Sequence, residues 1–575
     1  MPAEIPLLEL LIGLIFLLLV AAGVRVVTNR IKLPFSVLLV FTGILLGLIT
    51  KYLPPPLHIV GEIDISSEMI LFIFLPTLIY ESSQALDVRE LRKNLTPILT
   101  LAVPGLLLST FLIGVIVWLL TPLDFAVSLL LGAILSATDP VAVISIFKKL
   151  GGPKRLLVLI EGESLFNDAT SLVLSRILVA IIVGGGFTLL SAGQGVVSFF
   201  IVFFGGILVG AVLGMAAGLV LERVRSETFV VITITTVLAY LSFVIAEELF
   251  RVSGVMAVVA AGLSFSGWGW MKVTPMVRNY LENFWEYAAF LANALIFLLV
   301  GLHVKLAPLG RVLPILGCVI AGMLISRAVI VYGLTPLADL TSRNKIFLKG
   351  YKPVLFWGGL RGAVALAIVL SLPPFGQNVL LENLVIGAVL FTLFVEGLTI
   401  EPLVKLLGLD KPPLTDLYVL HEHKLAAKQK AYERICEFLE STVFSQQVAE
   451  KLQSRYEELI EKEKKTLASI QEEAVRTDQQ KRILYLQTFG EELTVYMDLF
   501  NKGHLGQHAF RELRLDLALQ IDAVRYMESF RNVYYGRFHP RKFEQFLFGL
   551  FDHLPLLSSL SERRRRTRFA VNYEI

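Results

Sequence analysis

The sequence predicts an all-α polytopic membrane protein followed by a helical, water-facing carboxyl-terminal part. Three observations predict it. Only 17% of the 575 residues are charged and the mean hydropathy is +0.71, so the apolar surface is too large for water and needs lipid as its solvent. About thirteen apolar segments reach spanning or near-spanning length. From about residue 410 the composition turns sharply to charged residues with apolar ones at amphipathic-helix spacing.

The apolar segments lie at about 6–28, 33–50, 66–82, 96–120, 126–147, 155–183, 194–221, 228–247, 252–268, 281–302, 312–334, 353–372 and 380–406. The run from Ile5 to Val24 follows Glu4, where a secretory signal would carry Lys or Arg, so it is read as a first spanning helix. Positive residues collect in alternate connections: Arg25, Arg30 and Lys32; Arg89, Arg92 and Lys93; Lys148, Lys149, Lys154 and Arg155; Arg223 and Arg225; Lys272 and Arg278; Arg343, Lys345, Lys349 and Lys352. The other connections hold only Lys51, Arg251, Lys305 and Arg311. Because positive loops stay in the cytoplasm, the amino terminus is expected outside and the carboxyl terminus inside.

The division expected is therefore residues 1–410 in the membrane and 411–575 in the cytosol. In the second part, Glu457-Glu458 and Glu461-Lys462-Glu463-Lys464-Lys465 around Leu459 and Ile460 read as a solvated helix, and Leu484 to Leu519 as a packed bundle. The basic run Arg563 to Arg566 with Arg568 reads as a solvated end, the alternative being contact with anionic lipid or acidic protein. Cys318 and Cys436 have neither disulfide nor metal spacing.

Chemistry concentrates in the fifth and sixth segments. Pro140 removes a backbone donor and pushes Asp139 away from the α region, so the fifth span should be interrupted at membrane depth, where unwound backbone can hold ions. In the sixth, Ser164 and Asp168 share one helix face, and Glu163 and Asn167 share the next, about 100° round. Ser164, Asp168 and Asp139 offer hard oxygen atoms to a small cation. Arg327 stands alone in the eleventh span, and a buried cation needs an acid opposite, for which Glu163 with Asn167 is the candidate. Glu81, at the inner end of the third span, reads either as an interfacial acid or as an accessory ligand.

Glycines in Gly358-Gly359-Leu360-Arg361-Gly362 weaken the twelfth span as Pro140 does the fifth. Interruptions seven spans apart fit two inverted six-helix repeats joined by one extra helix, the broken helices of spans 5 and 12 crossing near the midplane. Arg361 could then offset carbonyl-rich half-helix ends or Asp139. Glu286, Asn293, Glu396 and the pair Glu247-Glu248 are read as structural or interfacial. The eight histidines, His58, His303, His421, His423, His504, His508, His539 and His553, all fall outside the spanning cores, which excludes a histidine relay through the membrane. An intramembrane aspartyl protease would also use two acids on adjacent helices, but its Gly-x-Gly-Asp signature is missing from the sequence. A cation channel would need a filter-like repeated loop, which the sequence also lacks.

Ser136-Ala137-Thr138-Asp139-Pro140-Val141-Ala142-Val143, Glu161-Gly162-Glu163-Ser164-Leu165-Phe166-Asn167-Asp168 and Gly359-Leu360-Arg361-Gly362-Ala363-Val364 occur in this order. Together they resemble the cation/proton antiporter-1 family of sodium/proton exchangers, the NhaP and NHE type, over residues from about 6 to 407. The resemblance implies a homodimer of thirteen-span subunits, each with an interface domain and a moving six-helix core. It implies that Asp168 is the essential carboxylate, and that Asp139, Ser164 and the carbonyl of Thr138 are ion ligands. It also implies that Glu163, Asn167 and Arg327 form a stabilising cluster and that Glu81 is similar to an acid that in some members reaches the ion. Arg361 is expected to support the helix crossing.

The expected activity is exchange of Na+ for H+ across the plasma membrane, with Li+ as a further cargo and K+ as the alternative. With Asn at 167 and the charges of Glu163 and Arg327 cancelling, one proton per sodium and electroneutral exchange are expected. No cofactor and no nucleic acid is expected; membrane lipid surrounds the spans, and the tail is expected to regulate, through a regulatory factor or lipid.

Overall fold

The computed structural model describes residues 7–31, 33–50, 69–86, 88–140, 154–184, 189–221, 227–269, 273–304, 312–336, 351–373, 375–407, 414–440, 446–476 and 480–506, with isolated positions between them and on to 524. The run Arg563 to Arg566 with Arg568 lies outside the described residues, as do Lys32, Lys148, Lys149, Arg225, Lys272, Arg343, Lys345 and Lys349 of the positive loops. The chain divides into two compact units: Met1–Gly152 with Leu156–Leu409, and Pro153–Arg155 with Asp410–Ile575. Among the described residues both are helical throughout, with no strand.

Among the described residues of the first unit eight helices are long and apolar enough to cross a membrane: Leu11–Thr28, Leu95–Leu120, Leu157–Val183, Gly193–Leu221, Thr228–Leu249, Met276–Leu302, Leu313–Leu334 and Asn378–Leu406. Four shorter apolar helices accompany them, Phe35–Ile49, Ile70–Ala85, Phe125–Ser136 and Gly254–Gly267. Side chains such as Leu19, Phe200, Phe204 and Leu208 stand more than half exposed on the outside, as lipid-facing residues must. The inward faces build one continuous core through Leu39, Leu130, Ile134, Ala169, Phe243 and Leu366.

Local chemistry sets the helix boundaries. The helix α1 (Phe35–Ile49) starts after Pro34, whose extended backbone cannot continue a helix backwards. The helix α2 (Leu75–Ala85) continues a wide π turn at Ile70–Phe74. The helices α3 (Leu106–Leu120) and α4 (Phe125–Ser136) pack closely as neighbours. The long helices α5 (Lys154–Val183) and α6 (Leu189–Leu221) follow. In α7 (Gly254–Trp268) the Ser253 hydroxyl caps the first turn by accepting the Met256 N–H. It lies so close to α6 that a Cβ on Gly210 would stand 1.9 Å from the Ala257 carbonyl oxygen. That contact is the close backbone approach by which apolar helices associate when lipid gives them no hydrophobic drive.

Next come α8 (Pro275–His303), which opens on a first-turn proline, and α9 (Leu313–Val329) with its π turn Ile330–Leu334. Two short helices, α10 (Tyr351–Trp357) and α11 (Ala363–Leu370), divide the apolar segment read at 353–372. The last membrane element is α12 (Asn378–Phe391), a π turn Thr392–Glu396, and α13 (Gly397–Leu406).

The second unit contains α14 (Leu414–Glu440), α15 (Gln446–Arg476) and α16 (Gln480–Asn501). Helices α14 and α15 pack lengthwise, tied by Glu463, which takes His421 Nδ1 at 2.6 Å and Lys428 Nζ at 2.7 Å. Glu463 is buried, so the run 457–465 is not the uniformly solvated face expected from its composition. Those two hydrogen bonds, His421 first and Lys428 second, hold its carboxyl down at about 2. Leu486, Phe489, Leu517 and Val524 form a small core of their own.

Candidate functional site

Helix α4 stops at Ser136, and Ala137 takes up extended backbone (φ −63°, ψ 132°). Residues 137–140 stay non-helical up to Pro140. The second break, 359–362, separates α10 from α11. The two breaks touch: the Asp139 N–H donates to the Leu360 carbonyl at 2.7 Å. A Cβ on Gly362 would lie 2.4 Å from Asp139 Oδ2, so only glycine admits this approach.

The end of α4 leaves carbonyls that no helical N–H can reach. Arg361 answers them, its guanidinium donating to Ala137 O at 3.0 Å and Ser136 O at 3.3 Å. Asn167 donates to the same Ser136 carbonyl at 3.1 Å and to Thr138 Oγ1 at 3.3 Å. One turn earlier, the Ser164 hydroxyl donates to the Thr138 carbonyl at 2.7 Å. Two oxygen atoms suited to a small cation thus sit side by side.

Asp168 follows Ser164 on the same face of α5, and Asp139 and Glu163 are its charged neighbours. Asp139, Ser164 and Asp168 are half-buried, while Thr138, Glu163 and Asn167 are buried. Arg327 meets Glu163 at 3.0 Å and also donates to the Leu355 carbonyl at 3.3 Å. A small polar cavity runs past Ser109, Ser136, Thr138, Asn167, Arg327 and Arg361.

The sequence-derived residues Thr138, Asp139, Glu163, Ser164, Asn167, Asp168, Arg327 and Arg361 therefore form one neighbourhood. Glu81 stands on α2, which packs chiefly on α7 and α8, and accepts a hydrogen bond from Ser82 at 3.2 Å. Glu247 makes an ion pair with Arg176 and accepts the Gly254 N–H at 2.9 Å.

Several members escaped sequence reasoning. Ser109 joins the hydroxyls of Ser136 and Ser326, each at 2.8 Å. Thr392 accepts the Arg361 N–H at 3.1 Å. Glu396, read from the sequence as structural or interfacial, is 3% exposed and sits within the fields of Arg361 and Arg327. Its signal was an acid inside an apolar span.

A family profile described as "Sodium/hydrogen exchanger, transmembrane" matches residues 14–406. The Na(+)/H(+) antiporter ApNhaP of Aphanothece halophytica is 36% identical over 381 residues, which cover 66% of this chain and 70% of that protein. The low-affinity Na(+)/H(+) antiporter NhaS1 of Synechocystis is 36% identical over 420 residues, 72% of this chain and 76% of that one. The solved sodium proton antiporter MjNhaP1 of Methanocaldococcus jannaschii superposes with a TM-score of 0.57 at 21% identity, covering 70% of this chain and all of that one, and so shares the fold. With its match spanning nearly all of the helical unit that holds the paired breaks, this chain belongs to the transmembrane sodium/hydrogen exchanger family, a family of transporters and not of enzymes.

Proposed function

We propose that the protein is a secondary antiporter that exchanges Na+ for H+ by alternating access. The observation that carries the reading is the contact of the two breaks, Asp139 N–H to Leu360 O at 2.7 Å, beside a second carboxylate, Asp168. Asp168 and Asp139 bind the ion and the proton, with Ser164 and the Thr138 carbonyl as further ligands and Glu81 as an accessory acid. Glu163, Asn167 and Arg327 hold the site together, and Arg361 supports the crossing.

Two carboxylates at membrane depth are costly when both are charged and empty. Either a cation or a proton relieves that cost, so the two compete for one site. A core that crosses the membrane only when so neutralised couples their opposite movements. Asn167 adds no titrating group, and the Glu163–Arg327 pair carries no net charge, so the exchange is one proton per sodium and electroneutral. Turnover that responds strongly to a clamped membrane potential would refute the stoichiometry.

The helices are assigned to thirteen spans in two inverted six-helix repeats, with the amino terminus outside and the tail inside the plasma membrane, in a homodimer. Residues 1–410 are the exchanger and 411–575 a regulatory tail that takes a regulatory factor or lipid. The direct test is proton flux in proteoliposomes driven in turn by sodium, lithium or potassium gradients, with Asp168→Asn as control. Sodium-driven flux is expected, with lithium also accepted. Potassium-driven flux without a sodium response would replace the reading with K+/H+ exchange, and currents far above carrier rates would indicate a channel.

A further inference from the structure

Glu396 is a buried acid to which the exchange scheme gives no task. It closes the π turn Thr392–Glu396, a wide turn of the kind that gathers at functional sites. Its side chain is 3% exposed, and its Oε2 has no hydrogen-bond partner among the described residues. The same turn begins with Thr392, whose hydroxyl accepts the Arg361 N–H. The last span thus presents a hydroxyl to the Arg361 backbone and, one turn on, a buried carboxylate within the electrostatic reach of its charge.

Arg361 is equally constrained. It is 3% exposed, it spends its Nη1 on the Ser136 and Ala137 carbonyls, and its buried Nε has no hydrogen-bond partner among the described residues. The two carbonyls belong to the segment that carries Thr138 and Asp139. An uncompensated guanidinium at that point sets a positive charge against the place where a cation must bind. Arg327 cannot help, being itself positive and already matched by Glu163.

We propose that Glu396 is a positioning residue for sodium binding: its carboxylate balances Arg361, so that Arg361 can brace the broken helix without repelling the cation at Asp139 and Asp168. The four charges Glu163, Arg327, Arg361 and Glu396 then sum to zero. The two aspartates alone carry the charge that the transported ion meets. The inference rests on the sodium/proton exchange proposed above.

The test is sodium-driven proton flux in proteoliposomes with purified full-length protein, measured against sodium concentration for the wild type, Glu396→Gln and Glu396→Asp. Glu396→Gln leaves the Arg361 charge uncancelled and should raise the KM for sodium about three- to tenfold. Its kcat at saturating sodium should stay within about twofold of the wild type. Glu396→Asp keeps the charge and should return the KM to within about threefold of the wild type. An unchanged KM in Glu396→Gln overturns the proposal. A fall in kcat alongside lost thermal stability, with no rise in KM, also overturns it by pointing to packing alone. If Glu396→Gln does not fold, Glu396→Asp decides, since a KM raised more than threefold there means that the charge is not what acts. Failure of the wild type to exchange sodium at all would strike the underlying reading instead, and the wild-type arm makes the two failures distinguishable.

Discussion

The backbone N–H of Asp139 donates to the carbonyl of Leu360 across 2.7 Å, joining the two non-helical breaks of the membrane unit at one point. Both partners lie where helical hydrogen bonding has lapsed, so each satisfies an orphan that the other's break creates. The backbone that carries the Asp139 side chain is thereby fixed where the two breaks meet.

Removing the charge of Asp168 tests the exchange reading most sharply. Asp168→Asn keeps the shape of the side chain and removes its titration, so sodium-driven proton flux should fall to the background of empty liposomes. Retained thermal stability in detergent would show that the loss is chemical. Flux above one tenth of the wild-type rate would remove Asp168 from the centre of the scheme.

Glu163→Gln has a different expected signature. The change leaves Arg327 buried beside a neutral partner, and breaking a buried pair in this way costs about 3–5 kcal/mol. A clear drop in the unfolding temperature of the purified protein is expected, with measurable exchange in the fraction that remains folded. Wild-type stability together with abolished exchange would invert the division of labour between Glu163 and Asp168.

At Gly362 even a methyl group is too large. A Cβ there would stand 2.4 Å from Asp139 Oδ2, so Gly362→Ala must push the two breaks apart and should cut flux about tenfold or more. Gly317→Ala is the natural control, because a Cβ at Gly317 meets nothing within 4 Å. Equal activity in the two variants would count against the close approach.

The tail has its own pH signature. Glu463 is held down at about 2 from an ordinary 4.5 by the His421 and Lys428 hydrogen bonds. A carboxyl with a depressed value in the folded state stabilises above its unfolded value. The stabilisation should therefore be complete above about pH 4.5 and drain away as the pH falls toward about 2. Amide hydrogen exchange over residues 414–476 of the full-length protein should show protection falling through that window. In Glu463→Gln the fall should be largely missing, and equal profiles for the two proteins would discount the contact.

Much of the site could be read from residue order because its logic is local. Pro140 beside Asp139 marks a break, the four-residue steps Glu163–Asn167 and Ser164–Asp168 define two faces, and a lone Arg327 demands an acid. Which spans come together is a different matter. The Leu360 carbonyl, the Ser109 hydroxyl and Thr392 enter through tertiary packing that no spacing encodes. Glu396 was visible as an acid in an apolar stretch, but its burial within reach of the Arg361 charge depends on how the final span is turned. The buried side of Glu463 was hidden by the charge of its neighbours, since composition reports an average and not a facing.

The π turns at Leu101–Gly105, Ile330–Leu334 and Thr392–Glu396 have a consequence for the chain as inherited text. Each wide turn accommodates one residue more than a regular turn, so losing one letter there would let the segment close into a regular turn while the flanking residues keep nearly the same facing. In the last span such a loss between Thr392 and Glu396 would leave the hydroxyl and the carboxylate three residues apart on one side of the helix, but would remove the wide turn. Single-residue gaps at these three places are therefore milder for the facing of the spans than gaps in their regular stretches, where each would swing the downstream side chains by about 100°.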